Sequence, residues 1–341
     1  MKRTSLKLLL LMCVLLCVHA ITLGQAADLE SRGKALTDSK NFKEAAELLR
    51  KAVEAEPKRA NAWVYLSWSY LELRKYQDAV DAARTAISLN PNEAAGHNNL
   101  GWGLLMLNQD AAAIESFRTA ISLKPDYVLA LNNLGYAHLK NGRNDEALPF
   151  LKAAVAIDPN YTKAHSNIVA IYFKDGKYNE AASHLEILAR LEPDKANHFS
   201  GLGAAYMNTG RQAKAVEAFQ RAVTLDPKDI QNQKNLGVSQ MAAGKKEEGI
   251  ATFRQILLQR PKDFDSIFAI GMAYSQLTRH DEAIAAYKEA LDVKPNSERA
   301  MMSLAMAHVA KGDKESARAF LPRLKELDED LAAILEKAIG K

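Results

Sequence analysis

Cysteine is almost missing from this sequence, and the two present, Cys13 and Cys17, both fall in the first twenty residues. Beyond them the chain can form neither a disulfide nor a thiolate metal site, so its stability must come from packing alone. An excess of charge of one sign is missing too. Of 45 basic residues, Lys2, Arg3 and Lys7 lie in the N-terminal segment, which leaves 45 − 3 = 42 against 41 acidic ones. No clustered Lys/Arg stripe appears, and this argues against a nucleic-acid partner, whose binding depends on neutralising phosphates. Long hydrophobic runs are also scarce: the longest is Leu8 to Val18, well short of the roughly 20 residues that span a bilayer.

That run follows a basic start and precedes small residues at Gly24, Ala26 and Ala27, the three-part pattern of a secretory signal peptide. The expected boundary follows Ala26, making residues 1–26 a leader and the product an exported protein, periplasmic or secreted, without stable membrane insertion once the leader is removed. Val18-His19-Ala20 offers a second cleavage site, and an uncleaved anchor is the alternative. Leu16 before Cys17 and Met12 before Cys13 lack the small residue that a lipidation site requires.

Catalytic signatures are absent as well. The histidines after the leader, His97, His138, His165, His184, His198, His280 and His308, occupy scattered positions with no pair at ligand spacing on one helix face. No nucleophile and base, paired carboxylates or phosphate-binding glycine loop stand out. The expectation is a protein that is not an enzyme and has no cofactor and no metal.

What is present is a period. Eight of the ten prolines, Pro57, Pro91, Pro125, Pro159, Pro193, Pro227, Pro261 and Pro295, follow one another at intervals of 34 residues. In the same phase run an aliphatic column (Leu66, Leu100, Leu134, Ile168, Leu202, Leu236, Ile270, Leu304) and a small column (Ser67, Gly101, Gly135, Gly203, Gly237, Gly271, Ala305) interrupted by Val169. A second small column, Ala45, Ala79, Ala113, Ala147, Ala181, Ala215, Gly249, Ala283 and Ala317, is followed four residues later by bulk, as at Leu49, Phe117, Leu151, Phe219 and Tyr287. Apolar spacing such as Trp63, Leu66, Tyr70 and then Ala79, Ala83, Ala86 predicts two helices per unit. Gly142, Gly176, Gly210, Gly244 or Gly312 sits between them as a left-handed helix end. Each phased proline closes the second helix, and Asn92, Asp126, Asn160, Asp194 or Asn296 behind it is the expected cap of the next. A single hairpin of this kind cannot bury its apolar face alone, so neighbours must stack.

These columns resemble the tetratricopeptide repeat family, with the pattern clearest from Trp63 through Tyr70, Ala79, Ala86 and Pro91. The resemblance implies an all-α fold, a superhelical solenoid of stacked helix-turn-helix repeats. It divides the chain into the leader, an array of eight to nine repeats over 27–327, and a capping helix over 328–341 with Asp328 as its cap and Leu331, Ile334, Leu335 and Ala338 as its apolar stripe. The end repeats depart from the pattern at Arg32 and Glu329. Two prolines are out of phase: Pro149 falls near a helix start, where it costs little, and Pro322 should kink the last repeat's second helix.

Two columns rise above the packing pattern. Asn99, Asn133, Asn167 and Asn235 precede the aliphatic column, interrupted by Gly201. In the family, including the superhelical part of the O-linked N-acetylglucosamine transferases, similar asparagines line the concave groove and hold peptide backbone; an amide offers both a donor and an acceptor. The second column is aromatic: Trp68, Trp102 and Tyr136 recur on three successive first helices, with Leu71, Leu105, Leu139 and Phe173 one turn on. By the same resemblance this face lines the groove, although thickening of the inter-repeat core would also account for it. The lysines and arginine with which one chaperone-binding subgroup clamps a terminal carboxylate have no counterpart, since Trp68, Trp102, Tyr136, Ala170 and Ala204 fill a groove column used there.

The expected function is a non-catalytic scaffold that binds a protein or peptide partner through Trp68, Leu71, Asn99, Trp102, Leu105, Asn133, Tyr136, Leu139, Asn167 and Asn235. Self-association into a structural homo-oligomer through the aromatic stripe is the alternative, and a small-ligand carrier a more distant one.

Overall fold

The computed structural model describes residues 24–340, so all but the last three residues of the leader expected over 1–26 lie outside the described residues. Every regular element among them is helical. The first helix is described over 24–38 (α1). It is followed by α2 (Phe42–Ala55), α3 (Ala60–Glu72), α4 (Tyr76–Leu89), α5 (Ala94–Met106), α6 (Asp110–Leu123), α7 (Val128–Lys140), α8 (Asn144–Ile157) and α9 (Thr162–Lys174). Then come α10 (Tyr178–Leu191), α11 (Ala196–Asn208), α12 (Gln212–Leu225), α13 (Ile230–Ala242), α14 (Lys246–Gln259), α15 (Phe264–Gln276), α16 (His280–Val293), α17 (Glu298–Lys311), α18 (Lys314–Arg318), α19 (Leu321–Leu327) and α20 (Glu329–Gly340). The fold is an all-α solenoid of helical hairpins, and the chain divides within α9 into two compact units, up to Ile171 and from Tyr172.

In the first unit each hairpin closes through a small-against-large contact. A Cβ built on Gly101 would lie 2.7 Å from Cε1 of Phe117, which is itself fully buried, so only glycine lets α5 approach α6 this closely. Where the bulky position shrinks to Ala83, the small position grows to Ser67, whose hydroxyl turns back to Val64 O at 2.7 Å. Ala45, Ala79, Ala113 and Ala147 are all completely buried at helix crossings. Around them Val80, Leu104, Leu105, Phe117 and Leu134 form one core cluster, and Ala45, Leu49, Val53 and Leu66 another.

The second unit repeats the device: Cβ on Gly271 would meet the Tyr287 ring at 2.6 Å. Ile250, Phe253, Ile256, Tyr274, Tyr287 and Leu304 build its main cluster. A second cluster around Met301, Ala305 and Leu324 is closed by α20 through Ala332, Leu335 and Ile339. Asp328 caps that helix by accepting the Leu331 N–H at 3.0 Å. The stripe differs from the expected one, because Ile334 is exposed and Ala332 and Ile339 are buried instead. The face set by residues 332, 335 and 339 turns toward α17, and Ile334 lies off it.

The carbonyls of the phased prolines are tied into the repeat turns. In several units a polar side chain near the start of the first helix donates to the carbonyl of the preceding phased proline: Trp63 Nε1 to Pro57 O (2.9 Å), His97 Nε2 to Pro91 O (2.9 Å), His165 Nε2 to Pro159 O (3.0 Å) and Gln233 Nε2 to Pro227 O (2.6 Å). A backbone carbonyl in the turn just beyond the helix's C-cap is thereby satisfied.

The turn inside each hairpin is left-handed whether or not it holds glycine. Gly142, Gly176, Gly210, Gly244 and Gly312 have φ of 70° to 88°, and Lys40, Arg74, Asn108 and Thr278 adopt φ of 58° to 65° at the equivalent place. The caps of the first helices lie one residue later than expected, at Glu93, Asp229, Asp263 and Ser297, each accepting a backbone N–H. The residue directly after the proline is held in the turn instead, as when Asn92 N donates to Asn90 Oδ1 at 3.3 Å. Pro149 is accommodated inside an unbroken α8. Pro322 does more than kink: the last repeat's second helix is split into α18 and α19, with the proline in the first turn of the latter.

Candidate functional site

Trp68, Trp102 and Tyr136 stand on α3, α5 and α7, the first helices of three successive hairpins in the first unit, and all three are half-buried. Trp102 and Tyr136 meet across the repeat boundary with ring centroids 5.7 Å apart and planes tilted by 42°. Trp68 pairs with Phe42 at 6.4 Å, and its indole N–H donates to Glu72 Oε1 at 3.3 Å. One turn on, Leu71 and Leu105 are buried, Leu105 completely so within the core cluster, whereas Leu139 is half-buried. Of the expected stripe, therefore, the aromatics and Leu139 keep solvent access while Leu71 and Leu105 are interior.

The asparagines are bonded to one another. Asn167 Nδ2 donates to Asn132 Oδ1 at 2.9 Å, and Asn132 Nδ2 lies 3.4 Å from Asn133 Oδ1. Asn133 Nδ2 donates to Asn98 Oδ1 at 2.9 Å, and Asn98 Nδ2 lies 3.5 Å from Asn99 Oδ1. Asn99 Nδ2 ends the series on Val64 O (3.1 Å) and Ser67 Oγ (2.8 Å). This amide ladder crosses from one first helix to the next three times, and Asn98, Asn99, Asn132 and Asn133 are buried within it. Buried amides require partners, and here each supplies the other's. The partners Asn98 and Asn132 were not among the residues singled out from sequence; the repeated Asn-Asn dipeptides, 98–99 and 132–133, are the signal that could have found them. The ladder residues lie one turn before Trp102 and Tyr136 on the same helices, so they fix the helix register on which the aromatic rings stand.

Asn235 belongs to the second unit and accepts from Gln231 Nε2 of its own helix at 2.9 Å. Charges replace amides there: Lys234, in the column of Asn98 and Asn132, reaches Asp263 at 2.9 Å and Asp265 at 3.5 Å, and Asp265 pairs with Arg299 at 2.6 Å. Burial opposes ionisation of Asp263, but the hydrogen bonds from Lys234 and Ser266 outweigh it and hold the carboxyl below the usual carboxylate range. In this unit the same column holds no aromatic: it reads Ala204, Val238, Met272 and Met306, the last three exposed.

Among the described residues no group of three His, Cys, Asp or Glu side chains converges as metal ligands, and no helix is long and apolar enough to cross a membrane. Two of the buried histidines are hydrogen-bonded to carboxylates: His198 Nε2 to Glu192 Oε2 at 2.6 Å and His308 Nδ1 to Asp313 Oδ2 at 3.1 Å.

Stacked 34-residue hairpins closed by a proline, with glycine or alanine at each helix crossing, define an all-helical repeat protein. The chain belongs to the tetratricopeptide repeat family: its models match residues 31–94, 66–128, 98–162, 170–230 and 268–332, and a further one matches 235–263. Proteins of this family are typically protein-interaction scaffolds and generally non-catalytic. Among solved structures, the chain is similar to PilF of Pseudomonas aeruginosa, with 18% identity over 62% of this chain and 96% of that one and a TM-score of 0.55. It is similar also to PilW, a type IV pilus biogenesis factor, with 21% identity over 62% of this chain and 97% of that one and a TM-score of 0.53. At these identities the likeness is one of fold. No curated protein sequence matches the chain.

Proposed function

We propose that this protein is an exported, non-catalytic scaffold that captures a segment of a partner polypeptide on the face of α3, α5 and α7, with Trp68, Trp102 and Tyr136 as the contacting side chains. The observation that carries the reading is the Trp102–Tyr136 pair, two rings 5.7 Å apart that pack against the core on one side and keep partial solvent access, on helices locked together by buried amides. Aromatic side chains on a rigid support bind with little loss of conformational freedom, and they dominate interface energetics. Export rests on the leader, and the compartment is periplasmic or extracellular.

The test is a peptide array probed with purified protein and with its Trp102→Ala variant. Loss of a central aromatic contact costs about 2 kcal/mol or more, so peptides retained by the wild type should bind roughly thirtyfold more weakly to the variant. Its thermal melt should stay close to that of the wild type. Retention of the same peptides with undiminished affinity would place binding elsewhere.

A further inference from the structure

Two features that no other hairpin of the first unit shares fall together in α7 and α8. The first is His138, in the last turn of α7, where the two preceding repeats hold Tyr70 and Leu104. Its ring is 1% exposed and lies nearly parallel to Phe150, with planes 11° apart and centroids 5.9 Å apart, and neither ring nitrogen has a hydrogen-bond partner. The second is Pro149, in the second turn of α8, where the preceding repeats hold Asp81 and Glu115. A proline at this place leaves the Asp145 carbonyl without its intrahelical donor. The first turn of α8 is thus tied to the rest of the helix by one bond fewer. Backbone bonds join the two features: the His138 carbonyl accepts from Asn141 N (3.1 Å) and Arg143 N (3.0 Å), and Gly142 N donates to Leu139 O at 2.9 Å. His138 therefore closes the turn from which α8 starts, and its ring packs against that same helix.

The pocket suits a neutral ring only. An imidazolium held there would be desolvated without a hydrogen-bond partner. Burial is the largest cause of its lowered affinity for a proton, Arg143 in the turn and Arg118 on α6 add to it, and Glu146 on α8 opposes it. Glu146 is a poor counter-ion: its Oε2 lies 3.3 Å from Nδ1 but out of line, its side chain is 52% exposed, and the same oxygen is 3.7 Å from Arg143. Arg118 is paired with Glu115 at 2.9 Å, and Lys140, on the same helix as His138, is held at Asp110 at 3.1 Å. Asp145 and Lys152, the other charged residues of α8, are exposed, and α5 carries no Asp, Glu, Lys or Arg.

We propose that the α7–α8 hairpin is an acid-sensitive joint in the array: on acidification His138 takes up a proton by leaving its pocket, and residues 139–149 open while the rest of the first unit stays folded. Proton uptake and opening are one event. The open state gains by up to about thirtyfold at pH 5.0, the factor by which a histidine of ordinary pKa 6.5 favours its protonated form there. The joint is independent of whether the neighbouring Tyr136 contacts a partner.

Hydrogen exchange of the full protein, followed by mass spectrometry at pH 7.5 and 5.0 and corrected for the intrinsic pH dependence of amide exchange, tests the joint. Protection within 139–149 should fall by at least about fivefold at pH 5.0, and that of the equivalent segment 105–115 by less than about twofold. His138→Leu should abolish the difference. Histidine-selective NMR of the unaltered protein keeps the test open should that variant fail to fold: the His138 ring should titrate below the ordinary 6.5. Equal loss of protection in the two segments, persistence of the loss in His138→Leu, or titration of the ring at 6.5 or above with 139–149 still protected would overturn the proposal.

Discussion

Asn133 donates its side-chain N–H to Asn98 Oδ1 at 2.9 Å across 35 residues of sequence, and both amides are buried. The first helices of two adjacent repeats, α5 and α7, are thereby joined at a defined register. An amide chosen for periodicity thus serves the protein's own stacking.

Removing a link in the middle of the ladder should cost more than removing its end. Asn133→Ala leaves Asn98 Oδ1 and Asn132 Nδ2 short of a partner inside the protein, a loss of about 2 kcal/mol. Asn167→Ala, at the half-buried end, should cost less than about 1 kcal/mol, because water can replace the lost group. Urea denaturation of the two variants measures the difference; equal effects would mean that the ladder does not act as a series.

His138 should make stability fall on acidification. It is 1% exposed, stacks on Phe150 at 5.9 Å, and neither ring nitrogen has a hydrogen-bond partner; Nδ1 lies 3.3 Å from Glu146 Oε2 but out of line. Burial pushes its pKa below the usual 6.5, Arg143 and Arg118 add to the effect, and Glu146 opposes it. The unfolded chain therefore takes up the proton first. Stability is unaffected by this group well above pH 6.5 and declines below it, by at most about 1.4 kcal/mol per pH unit, until the folded form is protonated too. His138→Leu, the residue type found at the equivalent Leu104, should flatten the dependence of the melting temperature on pH in this window.

Thr278 is the one β-branched residue among the left-handed turn positions, at φ 58°, and it is exposed. That conformation costs a non-glycine residue about 1–2 kcal/mol, while glycine gives back about 0.5–1 kcal/mol in the unfolded chain. Thr278→Gly should therefore stabilise by about 0.5–1 kcal/mol and raise the melting temperature. A fall would show that its Oγ1 contact with Leu277 O at 2.7 Å outweighs the strain.

The small-against-large contact can be tested as a double-mutant cycle. Gly101→Ser should destabilise by about 1–3 kcal/mol, because its Cβ would lie 2.7 Å from the Phe117 ring. In a Phe117→Ala background, which copies the natural Ser67 and Ala83 combination, the same change should cost less than about 0.5 kcal/mol. Chemical denaturation of the four proteins gives the coupling energy, and additivity would argue against this contact.

The sequence by itself determined whatever depends on near neighbours and on the period. The proline phase, the paired helices, the crossing of Gly101 with Phe117 and of Gly271 with Tyr287, and the left-handed turns all follow from steric rules that act within one hairpin. Even the non-glycine turns at Lys40, Arg74, Asn108 and Thr278 follow the phase, because the repeat imposes a conformation that the residue alone would avoid. Tertiary structure decided where each periodic side chain points and what it meets. Asn99 and Asn133 belong to a column that could hold a ligand's backbone or a neighbouring helix, and only the approach of α3, α5 and α7 commits their amides to one another. Leu105 and Trp102 are both apolar members of one helix. Leu105 lies inside the cluster that the next hairpin completes while Trp102 packs at its edge, a difference no local pattern encodes.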